Sequence, residues 1–176
     1  KAIEVSCNYY FFNVANGYDY YKDKKLDFEM DSEKLIEVSK KFGLDESSGI
    51  ELSEVVAGVP NPEKKKDMVK YYLRRKLNNI LEDYLNPKDY EKSETIIDEI
   101  ISWSDENPSR GSVISRLEKL GIIGNFNNRA KLADIIKYDY FNLMRWYEGD
   151  TLNYAIGQGN HQYTPVQIVR YIAGIA

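Results

Sequence analysis

Ser6, Cys7 and Asn8 place a hydroxyl, a thiol and an amide in three consecutive residues. A hydroxyl and an amide are each hydrogen-bond donor and acceptor at once, but the three residues alone point to no particular reaction. The bare pattern S-x-N also describes a helix start, where a short polar side chain caps backbone N–H groups. His161 is the one histidine, so a Ser-His-Asp arrangement would have to use it. It stands among Asn160, Gln162 and Tyr163 without a second His or Cys partner, and reads as an exposed loop histidine rather than a base. Gly157-Gln158-Gly159 could let backbone N–H groups approach a phosphate. It lacks the GK[ST] ending and the third glycine of the nucleotide fingerprints, and reads as a structural turn. Lys64-Lys65-Lys66 and Arg74-Arg75-Lys76 form a basic run. Residues 62–146 hold 16 Lys and Arg against 14 Asp and Glu, so the run reads as a solvated helix face.

Composition excludes several other chemistries. One Cys and one His rule out a Cys/His zinc site, a disulfide framework and a CxxC redox centre, and no cofactor or metal is expected. The 176 residues carry 24 Lys and Arg against 28 Asp and Glu, a formal charge of -4. With a pI near 5.2, this argues against a general nucleic-acid binder. The hydrophobic fraction of 43% and charged fraction of 30% are those of a globular domain able to bury a core. Mean hydropathy is -0.55, and no run of about 18 apolar residues could span a bilayer. Tyr is unusually frequent, at 15 residues. Most of these stand at helical positions beside apolar neighbours, which suits amphipathic packing with the hydroxyl in water.

The elements that must position these groups are mainly helical. Residues 5–15 form an apolar run stopped at Gly17, predicting a short buried helix. Asp31 and Ser32 are N-cap candidates for a helix carrying Leu35, Val38 and Phe42, with Gly43 at its C′ position. Residues 43–62 lack helical period and read as a loop with one short strand, Gly49-Ile50-Glu51-Leu52. From Pro62 a long amphipathic helix carries Val69, Leu73, Leu77, Ile80 and Tyr84 to about Asn86-Pro87. A second carries Ile96, Ile97, Ile100 and Ile101. A third runs from about Ser109 through Val113, Ile114, Leu117 and Leu120 to Gly121. A fourth carries Leu132, Ile135, Ile136, Leu143 and Met144, completing a helical bundle over 62–146. Residues 149–167 return to Gly-rich loop chemistry. Thr164 as N-cap, Pro165 at N1 and Gln167 at N3 then open a last helix.

Three separated blocks together resemble the transpeptidase domain of class B penicillin-binding proteins. Ser6-Cys7-Asn8 followed by aromatics, SCNYYFF, resembles the family's S-x-N motif. Phe42-Gly43-Leu44, then Ser48-Gly49-Ile50-Glu51-Leu52, then Gly58 and Pro60, is similar to the family's FGLG…TGIDLP…G…P. The third block runs from Trp146 through Gly149-Asp150-Thr151 and Asn153 to Ile156-Gly157-Gln158-Gly159, then Thr164, Pro165 and Gln167. It is similar to the family's W…GDT…N…IGQG…TP.Q. The likeness covers about 1–60 and 146–176; the lobe is bounded accordingly as 1–61 and 147–176, with residues 62–146 as a helical insertion.

The resemblance implies a helical lobe of a β-lactamase-like fold. In the family that lobe packs on a five-stranded sheet, and here the central sheet is missing. It implies a serine acyl-transfer enzyme that cross-links peptidoglycan stem peptides and is acylated by β-lactams, with no cofactor. Ser6 would be a relay hydroxyl and Asn8 would hold the catalytic Lys and the substrate amide. Gly157, Gln158, Gly159, Thr164 and Pro165 would be structural. Cys7 fills the motif's variable position. S-x-x-K and K-T-G are absent from the 176 residues. The expectation is therefore a fragment, inactive alone, of a protein on the extracytoplasmic face of the bacterial membrane, anchored by an N-terminal segment outside these residues. A lobe without its sheet would expose an apolar face, to be met by the bundle or by a second copy. The alternative is a non-catalytic helical module recruiting cell-wall assembly partners through 62–146. Nucleic acid is not an expected partner.

Overall fold

The computed structural model describes residues 1–28, 30–56, 58–122 and 126–176. The protein is mainly α-helical. In chain order come α1 (Asn8–Ala15), a hairpin of β1 (Tyr18–Asp19) and β2 (Lys24–Lys25), α2 (Ser32–Lys41), α3 (Pro62–Ile80), α4 (Ser93–Ser102), α5 (Arg110–Lys119), α6 (Phe126–Asp134), α7 (Glu148–Ala155) and α8 (Pro165–Ala173). The chain divides into two compact units, one of Lys1–Asn61 with Trp146–Ala176 and one of Pro62–Arg145.

The Pro62–Arg145 unit has a continuous apolar core. Val69, Leu73 and Leu77 of α3 meet Ile96, Ile97 and Ile100 of α4, Val113, Ile114 and Leu117 of α5, and Leu132 and Ala133 of α6. Each set recurs at helical spacing, so each helix turns one stripe inward. After α6 the backbone widens into a π-helix over Ile135–Phe141. There the Asn142 N–H donates to the Lys137 carbonyl, a bond spanning five residues. The widened turn carries Phe141 into the core and leaves Leu143 53% exposed, where the sequence pattern places Leu143 inside. Ion pairs lie on the outside, among them Lys66 and Lys70 with Asp105 and Arg74 with Glu94 and Asp98. Lys65 Nζ donates to the Arg145 carbonyl at 2.7 Å, joining the first turn of α3 to the unit's last residue.

The other unit has a smaller core, in which buried Leu44, Val59 and Tyr154 pack with Leu35, Ile36, Trp146, Tyr163 and Tyr171. In the hairpin, β1 and β2 run antiparallel, Tyr18 opposite Lys25 and Asp19 opposite Lys24. The Tyr18 hydroxyl donates to Asp23 Oδ1 at 2.6 Å across the turn. Gly17 ends α1 with φ 60°, and a Cβ there would stand 3.3 Å from the Met30 carbonyl oxygen.

Four local expectations are corrected in this unit. The helix after Ser6 forms but is not buried. Of its residues Asn13 and Ala15 are buried, Phe11, Phe12 and Val14 are partly so, and Tyr9 and Tyr10 are about half exposed, at 51% and 52%. Eight residues of mostly apolar side chains exceed what this small core can cover. Gly49-Ile50-Glu51-Leu52 is loop, not strand, because the segment has no partner strand among the described residues. The stretch from Glu148 is the helix α7, not loop. The Asp150 carboxylate starts it by accepting from the Tyr147 N–H at 2.7 Å, and Trp146 Nε1 donates to Thr151 Oγ1 at 2.9 Å. His161, the fourth, is half-buried between two tyrosines rather than exposed.

Candidate functional site

The first five residues turn back on themselves, the Val5 N–H donating to the Lys1 carbonyl and the Cys7 N–H to the Ala2 carbonyl. Ser6 completes this turn in the left-handed region, at φ 48°. A non-glycine residue is held there only when its surroundings over-determine it, and such positions concentrate at functional sites. The chain then enters α1 with Cys7 at the N-cap, and no side chain caps the helix. The capping interpretation of Ser6 and Asn8 therefore fails. Both side chains are exposed, and neither hydroxyl nor amide has a hydrogen-bond partner among the described residues. Cys7 is a free thiol of intermediate exposure. The site offers a hydroxyl and an amide on one short turn, open to an incoming group.

The second and third motif blocks meet each other directly. Gln167 is almost fully buried, and its Nε2 donates to the Glu46 carbonyl at 3.0 Å. Its Oε1 accepts from the Thr164 N–H at 3.0 Å, and the Thr164 hydroxyl oxygen accepts from the Gln167 N–H at 3.3 Å. This is the capping box expected from Thr164-Pro165-Val166-Gln167, with Pro165 as the first helical residue. One turn on, Arg170 Nη1 donates to the Ser47 carbonyl at 3.0 Å. Arg170 lies across Gly43, where a Cβ would come within 3.0 Å of the guanidinium carbon. The loop beneath is held by carboxylates. Asp45 Oδ1 accepts from the Val59 N–H at 2.7 Å, and Glu54 accepts from the Ser48 N–H at 2.8 Å and from the Ser47 hydroxyl.

Gly157 and Gly159 both adopt left-handed backbone, at φ 71° and 86°, and turn the chain out of α7. Gly159 and Gln158 border a small cavity also lined by Trp146, Asn153 and His161. His161 Nε2 faces the Tyr154 carbonyl at 3.2 Å, so that nitrogen carries the proton. Nδ1 then accepts from the Tyr163 hydroxyl at 3.0 Å. The Tyr154 hydroxyl donates to Ser39 Oγ at 2.6 Å. Burial pushes the imidazole below its ordinary pKa and pushes both tyrosines up. His161 is thereby held neutral with both nitrogens engaged, a structural role rather than that of a general base.

A separate groove of about 520 Å³ lies at the other end of α1, lined by Ala15, Asn16, Tyr18, Tyr20, Asp31 and Glu148 among others. Asn16 Nδ2 donates to Glu148 Oε1 at 3.2 Å across it, tying the end of α1 to the start of α7. The groove does not include Ser6 or Asn8. Sequence reasoning missed it, because its walls come from β1, the loop before α2 and α7, elements without a shared local pattern. Among the described residues no group of three or more His, Cys, Asp and Glu could hold a metal. No described helix is long and apolar enough to cross a membrane. No family model, no curated protein and no solved structure matches the chain.

Proposed function

We propose that the unit of residues 1–61 and 146–176 is the helical lobe of a penicillin-binding serine D,D-transpeptidase, with residues 62–145 inserted into it. The observation that carries this reading is the clamp of Gln167 on the Glu46 carbonyl. It joins the TP.Q block to the FGL block across more than a hundred residues of chain, as two parts of one motif set should be joined. The exposed, uncapped hydroxyl of Ser6 and amide of Asn8 are consistent with it. So is α8, on which Ile168, Val169 and Ile172 form an apolar stripe, with Val169 64% exposed. A central sheet would cover that stripe.

In this reading a nucleophilic Ser and its Lys, carried on S-x-x-K, and the K-T-G strand belong to a longer protein. Ser6 passes the proton released by the attacking hydroxyl to the leaving amine of the donor peptide, or to the ring nitrogen of a β-lactam. Asn8 orients the Lys and the substrate amide. The whole protein acts at the extracytoplasmic face of a bacterial membrane on peptidoglycan stem peptides.

The test is acylation of the natural gene product by a fluorescent penicillin. The expected result is a labelled band that Ser6→Ala weakens by about 10² to 10⁴, the usual range for losing a general acid–base group. The isolated 176 residues should not label. An unlabelled gene product, near-normal labelling of the Ser6→Ala protein, or labelling of the isolated chain would overturn the reading.

A further inference from the structure

The Pro62–Arg145 unit has a groove of about 490 Å³ between α3 and the segment that includes the π-helix. Tyr72, Arg75, Lys76 and Asn79 form one wall, and Asp139, Tyr140 and Leu143 the other. The first four recur at i, i+3, i+4 and i+7, a single stripe of α3. The second wall exists because the backbone leaves regular α-helix. A π-helical turn is less favourable than the helix it interrupts and is found frequently at functional sites. Here it takes Leu143 out of the core and sets it, 53% exposed, beside Tyr140 and opposite the 49%-exposed Tyr72.

Charge distinguishes this groove from the rest of the unit. The neighbouring cations of α3 are occupied, Lys66 and Lys70 by Asp105 and Arg74 by Glu94 and Asp98. Arg75 and Lys76 have no ion pair among the described residues, and one carboxylate, Asp139, stands on the opposite wall. The groove thus offers two unengaged cations around an apolar and aromatic floor. A carboxylate with an adjoining apolar side chain satisfies both. Arg forks onto the carboxylate and the tyrosine faces bury the apolar group. A polyphosphate chain fits less well, because it carries no apolar group for Tyr72, Tyr140 and Leu143 to cover.

We propose that this groove docks a short acidic peptide segment of a partner protein, with Leu- or Phe-like side chains between its carboxylates. Only residues 62–145 enter this inference, so it stands whether or not the transpeptidase reading does.

The experiment pans a phage-displayed random peptide library on the full 176-residue chain and measures binding of the selected peptide, fluorescein-labelled, by anisotropy. Enriched peptides should pair Asp or Glu with Leu, Phe or similar residues. The double variant R75E/K76E should weaken binding by about tenfold or more, as should L143D. The double variant K88E/K131E, which reverses two exposed lysines elsewhere on the unit, should bind normally. The replaced side chains are exposed, and circular dichroism verifies the fold of each variant. Enrichment without acidic residues, full affinity in R75E/K76E, or equal loss in K88E/K131E would overturn the proposal. So would tighter binding of a fluorescein-labelled single-stranded RNA that R75E/K76E abolishes.

Discussion

Ser6 holds a left-handed conformation at φ 48°, where a Cβ crowds the following carbonyl at a cost of about 1–2 kcal/mol. Ser6→Gly should therefore raise stability by about 1 kcal/mol, seen as a higher urea midpoint with an unchanged m-value. A lower midpoint would mean that the Ser6 side chain contributes packing that outweighs the backbone cost. The motif S-x-N marks this residue in the sequence, but nothing local foretells its backbone, which the bonds of residues 1–7 impose. His161 shows the same limit. Its neighbours in the chain are polar, yet the fold sets it against Tyr154 and Tyr163 with both nitrogens bonded. Because burial depresses its pKa in the folded state, the unfolded chain protonates first as pH falls. The stability contributed by the neutral ring is complete above its ordinary value of 6.5 and is lost as pH falls through the lower folded value. Urea midpoints of His161→Gln between pH 8 and pH 5 should lack that decline. A wild-type decline retained in the variant would assign it to other groups.

At the scale of elements, α8 is the most legible part of the chain, since its capping box is written in four consecutive residues. Thr164→Ala should cost about 1 kcal/mol through the lost cap. Gln167→Leu should cost more, about 2 kcal/mol, because it removes both bonds of the buried Gln167 amide, to the Thr164 N–H and to the Glu46 carbonyl, at about 1 kcal/mol each. Denaturant unfolding separates the two. Equal effects would mean that water replaces the Gln167 amide. The helix α7 was hidden because Gly149, Asp150 and Asn153 are poor helix formers, and contacts from Trp146 and Tyr147 override propensity. Gly49-Ile50-Glu51-Leu52 has the alternation of a strand, but neighbouring Ser47 and Ser48 bond Glu54 instead of a ladder. The π-helix has no signature at a period of 3.6, so the apolar pattern alone put Leu143 on the wrong face.

For the whole molecule, each unit is built on its own core, and the larger lies in Pro62–Arg145. Ile100→Ala, at a fully buried position, should cost that core about 2–5 kcal/mol. Calorimetry should show one transition moving and a second staying in place. A single cooperative transition that shifts as a whole would mean that the cores unfold together. The amphipathic stripes of the larger core could be read from sequence because each lies within one helix. The smaller core could not, since its buried residues come from loops and from chain segments far apart. The Lys65 bond to the Arg145 carbonyl has a further consequence for the order of assembly. It draws the entry and exit of an 84-residue unit to within a few residues' span of each other. Once that unit has folded, the segments on either side no longer close a loop of its full length but one equivalent to about four residues, which lowers the closure entropy by roughly 2–3 kcal/mol. The later-starting part of the chain should therefore fold first and template the part that began before it.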